Sequence, residues 1–358
     1  MNALRRITIA MLTGANAATI ALLWLCAGVT YISPETAPRL SLLTLAFPIF
    51  LAADALFAVV WLAVRWQRLW IPLVGIVAVW PQVHSYIPLH LPTRPSSDAL
   101  HVLTYNTHGY GSKAANYDAG NIVLDYIADS DADIIFLQES FTRGRIYKNY
   151  AKRFRQQGLA VLEGKQQVII TRLPVIDHSE LHLDADDNKA MTARLQWGSD
   201  TLLIVNIHLE SNQLSQQVKD AYIEAIDSHD GDSIGRGILP LMRLISHAAP
   251  HRARQTDSLA AYVAAWLPRP VIIAGDCNDT PVSYTLRQLS RGMASAYAEA
   301  GTGPGVTFKE RGFPVRIDHV LYAPQHFRSI HACVDHTATA SDHYPLHAYL
   351  MPLQRKQE

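Results

Sequence analysis

Up to about residue 91 the chain is almost free of charge, and this feature constrains its folding more than any other. Residues 1–98 hold six arginines, no lysine and three acids. Three apolar runs fill this part: 7–31, bounded by Arg5, Arg6 and Glu35; 40–64, bounded by Arg39 and Arg65; and 69–91. The first two are each about 25 residues long, enough to cross a hydrocarbon core of about 30 Å at about 1.5 Å per residue. A basic start would also suit a signal peptide. The first apolar stretch is too long for one and a second run follows at once, so a retained helix is expected. The third run carries Pro72, Pro81, Gln82 and His84. It is the weakest of the three and is still expected to cross. Tyr31, Trp66, Trp70 and Trp80 lie near the run ends, where aromatic belts form.

The arginines set an expected orientation. Arg5 and Arg6 precede the first run, and Arg65 and Arg68 lie between the second and third. Both links should face the cytoplasm. Three crossings then put everything after residue 91 on the extracytoplasmic side of a bacterial inner or plasma membrane. Without the third crossing it would face the cytoplasm. Asp54 lies mid-run, where a carboxylate is costly. A bond to Asn16 or a threonine on another helix is its expected structural role.

Residues 92–99 read as a linker by composition, separating an anchor (1–91) from a soluble domain (100–352). Of the chain's 31 basic and 31 acidic residues, 25 and 28 fall after residue 98. That balance lacks the basic excess usual for proteins that hold long nucleic acid. Cys26, Cys277 and Cys333 form no CxxC, which excludes zinc-ribbon and thioredoxin-type readings. A Cys277–Cys333 disulfide would require an oxidising compartment; buried thiols are the expectation. No protein partner is inferred.

In the soluble part, short apolar runs alternate with helical patterns, the mark of a mixed α/β domain. Strands are expected over 100–105, 134–138, 167–171, 192–196, 201–208, 271–275, 317–322 and 331–335. Helices are expected over 116–130, 147–157, 251–266 and 284–289. Residues 231–237, rich in glycine, read as a loop inside a long helical excursion over 213–247. Several strands end at polar, reactive residues: Asn106, Glu139, His208, Asp276 and Asp318. One strand-terminal Asp or Asn is usually a turn former. Several together point to an open site along one sheet edge.

The motifs are Thr-Tyr-Asn at 104–106, Leu-Gln-Glu at 137–139, Asn-Ile-His-Leu-Glu-Ser at 206–211, Gly-Asp-Cys-Asn at 275–278, Arg-Ile-Asp-His at 316–319 and Ser-Asp-His at 341–343. In this order the chain resembles the endonuclease/exonuclease/phosphatase superfamily, over about 99–350. The resemblance implies a DNase I-like four-layer α/β/β/α sandwich, here preceded by three transmembrane helices. It also implies a divalent-metal-dependent phosphoester hydrolase using Mg²⁺ or Mn²⁺.

Residue chemistry agrees with that implication. Water attack on a phosphoester loads charge onto phosphoryl oxygens, and a hard cation held by oxygen ligands neutralises it. Glu139 is the expected main ligand, with Asn106 beside it. Asp276 suits a base or orienting acceptor for water, and Asn278 a donor to a phosphoryl oxygen. His208 and His343 suit charged donors near neutral pH. By resemblance, Asp318 partners His343, and Asp342 is a metal-side ligand or orienter. One or two ions both remain open. A zinc site from His208, His343 and an acid is disfavoured, since no HExxH or HxH pair is present.

Other positions are read more plainly. Arg172 stands where the family often has Ser-Arg-Tyr-Pro, and either contacts a phosphate or ends a strand in solvent. Thr307 and Phe308 are read as packing. Cys277, in place of the commoner Phe, should point into the core. His251, Arg252 and Arg254 read as the start of a surface helix. Anchoring favours a lipid headgroup or an exported phosphoester as substrate. Alternatives are an extracytoplasmic nuclease on DNA or RNA, and a non-catalytic membrane scaffold. The apolar residues of the excursion, including Leu241 and Ile245, either pack or dip into a membrane surface; packing is expected.

Overall fold

A computed structural model describes residues 3–91, 93–111, 120–183, 189–228, 231–309 and 314–353. The N-terminal part contains α1 (Ala3–Val29), a 3-10 segment (Pro38–Ala46), α2 (Phe47–Val64), α3 (Trp70–Ala78) and α4 (Trp80–Tyr86). Among the described residues, two helical segments are long and apolar enough to cross a membrane, Ala3–Val29 and Pro38–Val64. The third apolar run departs from the expected single span. It is broken at Val79 into helices of nine and seven residues. Pro81 lies in the first turn of α4, and its ring and missing N–H do not allow α3 to run on. Asp54 is fully buried and accepts a 2.7 Å bond from Asn16 Nδ2, as the sequence suggested. The Asn16 Oδ1 in turn accepts from Trp61 Nε1 at 3.0 Å.

After the linker the chain alternates strands and helices. They are β1 (Leu100–Asn106), the single turn α5 (His108–Gly111), α6 (Ile122–Asp129), β2 (Ile134–Gln138), α7 (Arg145–Gln156), β3 (Ala160–Glu163), β4 (Gln167–Thr171), β5 (Val175–His182), β6 (Lys189–Trp197) and β7 (Asp200–His208). Next come α8 (Gln216–Ser228), α9 (Gly231–Trp266), β8 (Val271–Asp276), α10 (Tyr284–Leu289), β9 (Ala294–Ser295), α11 (Ala296–Ala300), β10 (Asp318–Tyr322), β11 (Phe327–Val334) and β12 (Leu346–Pro352). Two six-stranded sheets result, ordered β11-β12-β1-β2-β4-β3 and β5-β6-β7-β8-β10-β9. Each has one parallel pair near its centre, β1 with β2 and β7 with β8.

The period-two pleat builds the layers. Val102, Ile134, Phe136, Leu202, Ile204 and Ile272 face one another in the core between the sheets. The alternate residues Leu103, Tyr105, Ile135 and Leu137 pack outward on α6 and α7. Leu203, Val205, Ile207, Val271 and Ile273 do the same on the other sheet against α9 and α10. The order is therefore α/β/β/α, as the motif pattern implied. Strands β3, β5 and β9, all at sheet edges, and β12, between β11 and β1, were not anticipated. Pro92 and residues 116–119 of the expected helix lie outside the described residues.

The glycine-rich stretch 231–237 is not a loop. It opens the 36-residue α9. A Cβ on Gly237 would stand 2.3 Å from the Ala221 carbonyl oxygen, so this glycine lets α8 and α9 approach closely. Gly275 has a comparable role beside the site. Its φ is 145°, and a Cβ would fall 2.0 Å from the Ile207 carbonyl oxygen. Gly275→Ala should lower the melting temperature of the purified chain by about 5 °C or more, a loss on the scale of a backbone clash. Gly144→Ala, which meets nothing within 4 Å, should change it little. A Gly275→Ala protein that melts with the wild type would contradict this packing.

Candidate active site

Strand direction explains why distant residues meet. Parallel pairing of β1 with β2, and of β7 with β8, brings four strand C-termini to the same end of the sandwich. Asn106 lies opposite Gln138, and His208 opposite Asp276. β10 runs antiparallel to β8, so its first residue, Asp318, also lies opposite Asp276. β12 runs antiparallel to β1, which brings the preceding residues Asp342 and His343 to that end. Glu139 and Asn278 follow strand ends with φ of 51° and 49°. Such left-handed residues turn the chain sharply off the sheet.

The side chains converge closely. Asn106 Nδ2 donates to Glu139 Oε1 and to Asp276 Oδ2, both at 3.0 Å. The Asn278 backbone N–H donates to Asp276 Oδ1 at 2.7 Å, and its side-chain Nδ2 to the Leu209 carbonyl at 3.0 Å. His208 Nε2 is 3.8 Å from both Glu139 Oε1 and Asp276 Oδ2. His343 Nε2 is 3.8 Å from Asp276 Oδ2, and its Nδ1 is bonded to Asp318 Oδ2 at 2.7 Å. Thr307 does more than pack. Its hydroxyl accepts from the N–H groups of Ile317 and Asp318, each at 3.1 Å, and fixes the turn into β10. The Phe308 ring lies 5.0 Å from the His343 ring.

Burial and charge set the protonation states. Burial alone disfavours an imidazolium, yet the carboxylate of Asp318 lifts His343 to about 10. Burial likewise opposes ionisation of Asp318, but His343 holds it below the usual carboxylate range. Asp276 is pushed up, first by burial and then by the charge of Asp318. His319 is held neutral by burial and by Arg316, at about 3.

All eight expected residues, Asn106, Glu139, His208, Asp276, Asn278, Asp318, Asp342 and His343, therefore meet in one cleft. Arg172 does not. It follows β4, whose last residue lies opposite Ile134 at the start of β2. There it pairs with Asp131 and lies 3.9 Å from Asp133, at the opposite end of the sheet. The cysteines are free thiols, and Cys277 points into the core.

The sequence left His108 unremarked and misplaced Arg252. His108 Nδ1 lies 3.4 Å from both Glu139 Oε2 and Asp342 Oδ2. Its place two residues after Asn106 was the available signal. Arg252 is buried, not at the start of a surface helix. It donates to the Glu210 carbonyl at 2.7 Å and to Asn212 Oδ1 at 3.3 Å, and its Nε lies 3.4 Å from Asp279 Oδ2. α9 starts at Gly231, so position 252 lies deep within the helix.

The donor chemistry fits a hard divalent cation. Glu139 and Asp342 face each other across a histidine, beside the amide of Asn106, and oxygen donors of this kind suit Mg²⁺ or Mn²⁺ better than zinc. Asp276, Asp318 and His343 also offer atoms within 4.8 Å of one another. An imidazole held as imidazolium has no lone pair to give, so this second group is better suited to proton handling than to ligation.

The family model described as "Endonuclease/Exonuclease/phosphatase family" matches residues 103–343. The chain belongs to this family. A second model, for a domain of unknown function (DUF8431), matches residues 9–86. No curated protein matches. Among solved structures, the chain is similar to the human Nocturnin catalytic domain with bound sulfate anion, at 14% identity over 73% of this chain and 97% of that one, with a TM-score of 0.50. It is also similar to the endonuclease/exonuclease/phosphatase from Beutenbergia cavernae DSM 12333, at 16% identity over 72% of each chain, with a TM-score of 0.49. A humanized D. rerio TDP2 with 14 mutations is 15% identical over 71% of this chain and 99% of its own, with a TM-score of 0.48. At these identities the Nocturnin likeness speaks to the fold alone.

The His343–Asp318 bond predicts a defined pH behaviour. His343 is raised above its unfolded value of about 6.5, so its stabilising contribution is complete below that pH and fades as pH rises through about 10. Asp318 is lowered, so its contribution is present above about pH 4 and fades as the pH falls further. Histidine NMR on the metal-free chain should find His343 protonated at pH 8 and, in Asp318→Asn, neutral there. A neutral His343 at pH 8 in the wild type would contradict this electrostatic account.

Proposed function

We propose that this family member is a membrane-anchored, divalent-metal-dependent phosphoester hydrolase. The observation that carries the reading is the meeting of Glu139, Asp276 and His343 in one cleft, although more than 200 residues separate the first from the last. In the proposal, Glu139, Asn106 and Asp342 hold Mg²⁺ or Mn²⁺. The ion supplies charge neutralisation at the phosphoryl group.

This chain's own residues have the remaining roles. Asp276, fixed by Asn106 and the Asn278 N–H, accepts a hydrogen bond from the attacking water and orients it. The water oxygen bonds to phosphorus as one of its protons passes to Asp276, and the bond from phosphorus to the leaving oxygen breaks, that oxygen taking up a proton from solvent. His343, kept as imidazolium by Asp318, donates through Nε2 to a phosphoryl oxygen. His208 assists from the other side of Asp276. Asn278 binds phosphoryl oxygen without changing charge.

The anchor is residues 1–91, the linker 92–99 and the catalytic domain 100–352. Only 28% and 22% of the two apolar windows are buried, whereas the core helix of a soluble protein is mostly buried. Contacts with the catalytic domain favour an extracytoplasmic site. Arg254 reaches Glu35, and Arg287 stacks 3.7 Å over Tyr31, both just beyond the end of α1. Arg68 instead bonds Thr13 in the N-terminal half of α1, at the other end of the helix pair. The domain thus docks opposite the basic end, with the broken α3–α4 pair as the return path.

Full-length protein with Mg²⁺ or Mn²⁺ should hydrolyse bis-p-nitrophenyl phosphate or another member of a panel of DNA, RNA, sphingomyelin and phosphoinositides. EDTA should abolish the activity. Glu139→Gln, Asp276→Asn and His343→Ala should each lower kcat by about 10²–10⁴-fold. Full activity in His343→Ala, or none in the wild type with any ester, would refute the reading.

A further inference from the structure

The cleft does not end at the catalytic residues. A cavity of about 630 Å³ runs from Glu139, Asp276 and His343 to Leu45, Pro48 and Ile49 of the anchor. Leu241 and Ile245 of α9 form part of its wall. This volume lies within the range of about 300–1,000 Å³ that encloses a whole small molecule, and far exceeds the need of a phosphate group.

We propose that the cavity takes a bilayer lipid phosphoester, with its phosphate at the catalytic edge and its apolar chain lying between the anchor and α9. This rests on the hydrolase reading above and assigns its substrate class. Three observations favour that occupant. The far wall is aliphatic, and burying an alkyl chain there gains free energy that a polyanion would not. The mouth is continuous with the anchor surface. Ile49 and Leu56, seven residues apart on one face of α2, are 66% and 63% exposed, so a chain can pass from the bilayer into the cavity along one apolar stripe. Among the described residues, the cationic side chains lining the cavity are Lys219 and Arg252, with the imidazoles of His108 and His343. That suits a single phosphate group better than a nucleic-acid backbone. The anchor thereby becomes part of the substrate site as well as a tether.

The test is chain-length dependence. Full-length protein in detergent with Mn²⁺ is offered ethyl and octyl p-nitrophenyl phosphate. Ethyl and octyl phosphate monoesters are run in parallel, all below micelle-forming concentrations. The readout is the octyl-to-ethyl ratio of kcat/KM within one sample, which cancels any difference in folded fraction. Each buried methylene is worth a few-fold, so the wild-type ratio should reach about 30 or more. Ile49→Glu and Leu45→Glu should each lower it about tenfold, by placing a charge in the chain's path. A wild-type ratio within about threefold of unity, or a high ratio unchanged in both variants, would overturn the proposal and leave a hydrolase of soluble or polymeric phosphoesters. Failure to cleave any of the four esters would instead count against the hydrolase reading itself.

Discussion

One side-chain amide ties the two halves of the site together. Asn106, at the end of a strand in the first sheet, donates to Glu139 beside it and to Asp276 in the second sheet. Two carboxyl groups from different sheets are thereby held on one donor. One amide reaches both because the two sheets end at the same edge. Beneath it, Gln138 Nε2 donates to Asn206 Oδ1 at 2.7 Å, and Asn206 Nδ2 to the carbonyls of Leu137 and Val168. These buried amides are satisfied by one another and by backbone, so they fix the sheet-to-sheet register without leaving an orphaned polar group.

From that register the electrostatics follow. Acids from both sheets face a small volume, and the charge is not matched in place. Asp318 is answered by His343, at 2.7 Å. Glu139 and Asp342 share the partly exposed His108, at 3.4 Å from each. The site thus divides into a closed ion pair, suited to holding a proton, and an open oxygen-rich pair, suited to a hard cation. The same fold presents the end of the 3-10 segment and the first turn of α2 to the cavity, so the apolar N-terminal region and the chain's polar chemistry meet in one space.

Much of this was legible in the sequence, for a physical reason. The strands flanked by Asn106, Glu139, His208, Asp276 and Asp318 are buried apolar runs, and a sudden polar residue at one end of each is conspicuous. The edge strands were not. β5, Val175–His182, has polar residues on an exposed face and no apolar run to mark it. Arg172 looked equivalent to the other strand ends, but β4 runs the other way, and strand direction is not written in a local motif. Gly237 read as a chain break because close helix packing and a loop leave the same mark. The third apolar run was long enough to span, yet Pro81 divides it. Arg252 was hidden because a helix interrupted by Pro240 and Pro250 gave no sign of starting at Gly231.

The account's central claim is that the open carboxylates hold a hard cation beside a proton-holding ion pair. Anomalous diffraction from crystals of the full-length protein grown with Mn²⁺ addresses it most directly. The account predicts a peak bounded by Glu139, Asn106 and Asp342, with His343 still bonded to Asp318. A cleft without bound metal at saturating Mn²⁺, or a peak on His343 and Asp318 in place of the open acids, would contradict it.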